Sequence, residues 1–174
     1  MAIKKILTEP DPFLRNKSQI VDEVNDDIRK LMDDMLDTMY NAPGIGLAAI
    51  QIGVPKRVIA MDISREKDKK TPLCFVNPEI IWSSKENATY EEGCLSVPGQ
   101  FAEIDRPDRC HIKYLDYHGN NKELKAEGLL ATCIQHEIDH LEGILFIDYL
   151  SKLKKSLIVK KLSKQKKELE RIVV

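Results

Sequence analysis

Apolar residues recur at helical spacing in three segments of the chain. Asn25 or Asp26 can cap the first segment. Its apolar stripe consists of Ile28, Leu31, Met32, Met35, Leu36 and Met39. The run 128–143 shows the same period and ends at Gly143, a natural stop signal. In the third segment, residues 150–174, the predicted inner face consists of Leu150, Leu153, Leu157, Leu162, Leu169 and Ile172.

Between the first two predicted helices, the pattern changes to short apolar or alternating runs bounded by turn residues. These runs predict strands at residues 57–63, 73–76, 79–82, 102–104, 110–117 and 122–127. The segment 117–120 (Tyr-His-Gly-Asn) predicts a hairpin turn, and 65–70 a charged surface loop. Strands in succession, with helices before and after them, predict an α+β fold. We expect short antiparallel or mixed sheets around the central helix.

Composition limits the class of protein. The chain has 174 residues, of which 43% are hydrophobic and 32% charged, and this is typical of one globular domain. We predict a single domain over 1–174, with 150–174 as its C-terminal helix. No apolar run approaches the ~20 residues that span a bilayer, and residues 1–10 lack the apolar core of a signal peptide. The prediction is a cytoplasmic protein with no membrane partner.

The central helix carries two histidines one turn apart. On a helix, His136 and His140 share a face, so both imidazoles can reach one metal ion. Glu137 lies about 100° round the axis, where its carboxylate can handle a proton of water without binding the metal. A lone histidine is usually an ordinary helix residue, but this His-Glu-x-x-His pattern favours a metal site.

The residues alone leave the third ligand open. Cys94 lies in a bend rich in glycine and proline, residues 91–99, and could project a thiolate into a cleft. It could equally be a buried turn residue, as we expect for other unpaired cysteines of a reducing compartment. Asp139 is an alternative that points elsewhere on the helix. His111 and His118 are further alternatives, although the predicted hairpin puts His118 at a tip.

Segments 44–51, 92–96 and 135–140 stand together in this order: Gly-Ile-Gly-Leu-Ala-Ala-Ile-Gln, Glu-Gly-Cys-Leu-Ser and Gln-His-Glu-Ile-Asp-His. With these separations they resemble the three signature motifs of the peptide deformylases. Residues 10–15 and 145–150 extend the resemblance over nearly the whole chain, and the long C-terminal helix is similar to that of the bacterial form. The resemblance implies a hydrolase that removes the formyl group from N-formylmethionyl nascent peptides and releases formate.

The resemblance also implies roles for individual residues. The implied metal ligands are Cys94, His136 and His140, with water as the nucleophile at one divalent ion. Fe²⁺ is the metal implied, and Zn²⁺, Ni²⁺ or Co²⁺ are the alternatives. Glu137 becomes the general base and then the acid, and the oxyanion donors become the Gln51 amide and the Leu95 backbone N–H. The implied substrate-binding residues are Ile45, Gly46, Tyr90, Gly93, Leu129 and Cys133. Arg106 matches an arginine that braces the cleft.

Two rival functions and one possible partner complete the expectations. A zinc peptidase is the usual meaning of His-Glu-x-x-His, and a non-catalytic module with a structural metal is the other rival. Residues 152–174 hold nine Lys or Arg against two Glu, a local charge of +7 that leaves −8 for the rest of the chain. This basic tail predicts either a solvated helix face or contact with ribosomal RNA. We expect a monomer.

Overall fold

The computed structural model describes residues 2–64 and 69–173. Its α-helices there are α1 (Asp26–Asn41), α2 (Gly128–Leu141) and α3 (Lys152–Ile172). All three predicted helices are therefore confirmed. The Asn25 side chain accepts a hydrogen bond from the Ile28 backbone N–H, so Asn25 is the N-cap of α1. Short 3₁₀ turns span Pro12–Arg15, Ala49–Ile52 and Phe146–Tyr149.

Between α1 and α2 the described residues form seven strands separated by turns. They are β1 (Gly46–Ala48), β2 (Val58–Met61), β3 (Leu73–Ser83), β4 (Asn87–Cys94), β5 (Val97–Pro107), β6 (Arg109–Leu115) and β7 (Asn121–Glu127). Five of them form an antiparallel sheet in the order β1-β2-β3-β6-β7, and β4 and β5 form a separate hairpin. This arrangement confirms the α+β fold class.

The five-stranded sheet lies between α1 and α2. Val58 and Ala60 of β2 pack with the apolar face of α1, whereas Ile59 and Met61 pack with α2. Strand β2 is buried on both faces, which explains its continuous apolar sequence. A third cluster joins the β5 strand and the 3₁₀ turn Phe146–Tyr149 to α3. Helix α2 thus lies at the centre of the molecule, as predicted.

The predicted strands differ from the structure in three places. Residues 73–76 and 79–82 belong to one strand, β3, because a bulge at Asn77 (φ 51°) lets the chain pass Pro78 without ending the pairing with β6. Strands β1 and β4 were not predicted, because β1 has only three residues and the alternation of Ala88 and Tyr90 in β4 stops at the buried, polar Glu92. The predicted loop at 65–70 falls mostly outside the described residues.

The predicted inner face of α3 is also wrong. Leu153, Leu157, Leu169 and Ile172 are 57–80% exposed, and only Leu162 of that set is buried within the helix. The packed side instead combines Leu162 with the partly buried Ile158 and Val159. Beyond Ser163 the described helix is exposed, because it extends past the body of the protein. None of the described helices is long and apolar enough to span a membrane.

Candidate active site

Helix α2 brings the His-Glu-x-x-His residues into the interior. His136 and Glu137 are less than 10% exposed, and His140 is fully buried. The two imidazole rings lie 5.1 Å apart between centroids, as i and i+4 residues of one helix face should. Gly143, with φ 74°, follows the helix end and turns the chain away. The spacing read from the sequence therefore places both imidazoles on one side of the helix.

Cys94 meets the two histidines from another part of the chain. It ends β4, and its Sγ lies 3.3 Å from Nε2 of His140. The candidate ligand atoms of Cys94, His136 and His140 all lie within 4.8 Å of one another. One thiolate and two imidazoles are a suitable donor set for a single iron or zinc ion, and three protein ligands leave a coordination position open. The residues present therefore fit one divalent metal.

The alternative third ligands lie outside this cluster. The Asp139 carboxylate accepts hydrogen bonds from Arg106 and Tyr149 instead. His111 of β6 stacks on Trp82, with 4.5 Å between ring centroids. His118 lies in the β6–β7 turn beside Tyr117. The fold therefore selects Cys94 from the candidates that the residues alone left open.

Glu92 determines how His136 is oriented. Its Oε1 lies 2.8 Å from Nδ1 of His136, so that ring directs its other nitrogen towards the cluster. Burial alone would raise the pKa of Glu92, but hydrogen bonds from His136 and Arg106 hold it below its usual value. Glu92 is therefore a charged acceptor that fixes the tautomer of His136.

Glu137 is a buried carboxylate beside the donor cluster. Its Oε2 atom has no hydrogen-bond partner among the described residues. Burial raises the pKa of Glu137 to about 7, the range in which a carboxylate can both take and give a proton near neutral pH. A side chain at Gly46 would clash with the Glu137 carboxylate, so the glycine of β1 is required for this arrangement.

Gln51 lies beside Cys94, the last residue of β4. Its Oε1 accepts a hydrogen bond of 2.8 Å from the Ala48 backbone N–H. Its Nε2 donates to the Ser96 hydroxyl at 2.9 Å and lies 3.6 Å from Sγ of Cys94. The Ser96 backbone N–H in turn lies 3.4 Å from the same sulfur. The side-chain amide is thus held in one orientation next to the donor cluster.

A cavity of about 470 Å³ opens beside these groups. All predicted substrate-binding residues line it: Ile45, Gly46, Tyr90, Gly93, Leu129 and Cys133. Gln51, Leu95, Cys94, His136 and Glu137 line it as well, whereas His140 lies behind the surface. Of the residues with a role implied by the resemblance, all but His140 and Arg106 line this one cavity.

Comparison with known proteins identifies the family. The sequence model of the family described as polypeptide deformylase matches residues 3–156. The chain belongs to the polypeptide deformylase family. A peptide deformylase of Pelagibacter ubique (strain HTCC1062) is 67% identical over 174 residues, all of both chains. A peptide deformylase of Phenylobacterium zucineum (strain HLK1) is 60% identical over 96% of this chain and 99% of its own.

Solved deformylase structures share the fold. The crystal structure of the Ehrlichia chaffeensis peptide deformylase superposes with a TM-score of 0.91 at 44% identity, covering 96% of this chain and 98% of that one. A second crystal structure of that protein, in complex with actinonin, matches with the same TM-score at 46% identity. The chain is therefore an enzyme of a metal-dependent hydrolase family.

Sequence reasoning missed several residues that shape this deformylase site. Glu92 and Ser96 lie within the recognised motif 92–96, but nothing in the sequence links Glu92 to His136 or Ser96 to Gln51. Thr132, Gln100 and Phe101 also line the cavity. Thr132 could have been found from helical spacing, since it lies one turn before His136. Gln100 and Phe101 lie in β5, outside the predicted strand 102–104, and carried no usable signal.

Proposed function

We propose that this chain hydrolyses the formamide at the N-terminus of formylmethionyl polypeptides and releases formate. One observation carries the proposal. The donor atoms of Cys94, His136 and His140 converge beside the unpaired carboxylate oxygen of Glu137, where an apolar cavity meets them. Cys94, His136 and His140 would hold one divalent metal, for which we propose Fe²⁺. When bound, that metal supplies a Lewis acid and lowers the pKa of water for attack on a carbonyl.

Glu137 is the residue that we assign to proton transfer. Its raised pKa and its unpaired oxygen suit a group that removes a proton from the attacking water. When the bond between the formyl carbon and the methionine nitrogen breaks, the same carboxyl can return that proton to the leaving amine. One side chain can thus serve as base and then as acid, and it is ready for the next turnover.

The carbonyl oxygen gains negative charge during the attack and needs hydrogen-bond donors. We assign this task to the Gln51 side-chain amide and the Leu95 backbone N–H, both of which line the cavity beside Cys94. The Gln51 amide is well suited because its contacts with Ala48 and Ser96 fix it before the substrate arrives. Such preorganised donors each contribute about 10²–10³ in rate in comparable enzymes.

The peptide part of the substrate can bind between two strand edges. Strand β1 is one edge of the five-stranded sheet, and among the described residues β4 pairs with β5 alone. Ile45, Gly46 at the start of β1 and Gly93 of β4 all line the cavity. We propose that an extended peptide pairs with this backbone. Its methionine side chain would fill the apolar space beside Leu129 and Cys133.

Formate release tests the proposal directly. Protein loaded with Fe²⁺ without air should release formate from a formylmethionyl peptide and leave the same peptide without its formyl group uncut. Cleavage of a peptide bond would instead support a zinc peptidase. Absence of both reactions in protein that retains one metal per chain would contradict the proposed hydrolysis and favour a structural metal.

The basic α3 supports a second, separate proposal about the partner. Its described part beyond Ser163 is exposed, and its sequence is rich in lysine. We propose that α3 contacts ribosomal RNA phosphates, which places a monomeric cytoplasmic enzyme near its substrates. Affinity for ribosomes should then fall at least about tenfold between about 50 and 200 mM salt. The combined variant Lys160→Gln, Lys164→Gln and Lys167→Gln should weaken binding, and salt-independent binding would contradict the proposal.

A further inference from the structure

A chain of charged groups runs from His136 towards the surface. Glu92 accepts the His136 hydrogen bond through Oε1 and is also held by two nitrogens of Arg106. Arg106 Nε lies 2.7 Å from Oε2 of Glu92, and its Nη2 lies 3.0 Å from Oε1. This is a bidentate guanidinium–carboxylate pair, and both side chains are at most 5% exposed. Glu92 therefore cannot turn without breaking three contacts.

The remaining guanidinium nitrogen points to the metal-bearing helix. Arg106 Nη1 lies 2.8 Å from Oδ2 of Asp139. The same Oδ2 accepts a hydrogen bond of 2.7 Å from the hydroxyl of Tyr149. The Tyr149 ring also lies over the guanidinium, 4.9 Å from its central carbon to the ring centroid. Tyr149 is 51% exposed, so it forms the outer end of the chain of contacts.

This arrangement joins the two elements that supply the metal donors. Glu92 lies on β4, two residues before Cys94, and Asp139 lies on α2, one residue before His140. Arg106 of β5 binds both carboxylates, so it ties the cysteine strand to the histidine helix. A partner lost from a buried ion pair leaves an uncompensated charge, which makes the tie sensitive to each member.

We propose that Asp139 and Tyr149 are positioning residues of the metal site, acting through Arg106 and Glu92 on His136 and on the approach of β4 to α2. The inference rests on the proposed metal-dependent function. Tyr149 does not line the cavity, so its effect should reach the reaction only through the metal donors. Without its hydroxyl, the partly exposed Asp139 carboxylate can rotate towards water and release Arg106.

The variant Tyr149→Phe tests this inference because it removes one hydroxyl and keeps the ring. Tyr117→Phe is the matched control, since the Tyr117 hydroxyl also bonds a carboxylate, Asp33, away from the donor cluster. Each protein is loaded with Co²⁺, whose visible spectrum reports the ligand geometry, and metal loss to excess chelator is timed. Removing a residue that hydrogen-bonds directly to a metal ligand lowers metal affinity about 10–100-fold. Tyr149 acts less directly, through Arg106 and Glu92, so we expect about 3–10-fold faster metal loss for Tyr149→Phe.

The route through Glu92 has its own test. In a Glu92→Gln background, Tyr149→Phe should add little further acceleration, because residues that act through one contact are not additive. Equal metal loss and spectra for parent and Tyr149→Phe would overturn the inference, and so would equal acceleration by Tyr149→Phe and Tyr117→Phe. A parent protein that holds no metal would contradict the proposed function itself, so the two failures are distinguishable.

Discussion

Replacing Glu137 by glutamine is expected to lower formate release by about 10²–10⁴-fold while the metal stays bound. Glutamine has nearly the same shape, so it should fit beside Gly46 as the carboxylate does. It cannot take a proton from water or return one to the leaving amine. Because Glu137 is not among the three clustered donors, the metal site should be unaffected. The measurement is kcat for a formylmethionyl peptide, with metal content determined on the same sample.

The control for this substitution is Glu123→Gln, the same chemical change at an exposed position of β7. It should retain the parent rate. If Glu137→Gln kept more than about a tenth of the parent kcat, the proton-transfer role would be wrong, since general acid–base groups contribute at least about 10². If the variant lost its metal, Glu137 would instead belong to the ligand set.

Local patterns predicted the parts of the fold that are amphipathic and buried. The stripe of α1 and the two histidines of α2 follow from a 3.6-residue period, and both helices occur where that period occurs. The same reasoning failed for α3, whose leucines show a helical period without showing which side packs. Leu153 and Leu157 lie on the side of α3 opposite to the packed Ile158 and Leu162, and Leu169 and Ile172 lie in its exposed end, so only the tertiary structure reveals the packed side.

The cysteine side of the site was harder to predict from physics alone. Strand β4 carries Glu92 and Cys94, but the alternation of its apolar residues Ala88 and Tyr90 stops at the buried Glu92, so it was missed as a strand. The choice of Cys94 over Asp139 depends on contacts between residues about 45 positions apart in sequence. Resemblance to a family supplied this choice at the sequence level. In the structure the Asp139 carboxylate is paired with Arg106 instead, a contact across 33 residues that no local pattern reveals.

Replacing His140 by alanine is expected to abolish both metal retention and formate release. His140 is fully buried and contributes one of three clustered donors, so its loss leaves a thiolate and one imidazole. Two protein ligands should hold the metal much more weakly than three. The loss of affinity should exceed the about 10–100-fold that follows from removing a residue hydrogen-bonded to a ligand. Metal content after desalting and kcat in excess Fe²⁺ are the measurements.

The matched control is His111→Ala, because His111 stacks on Trp82 outside the cluster and can be removed without touching a donor. It should keep one metal per chain and the parent rate. The result distinguishes metal ligands from positioning residues. Tyr149→Phe should lose metal faster but still bind it, whereas His140→Ala should not bind metal at all. Stoichiometric metal and normal turnover in His140→Ala would show that another residue completes the site, and the Cys94–His136–His140 assignment would then be wrong.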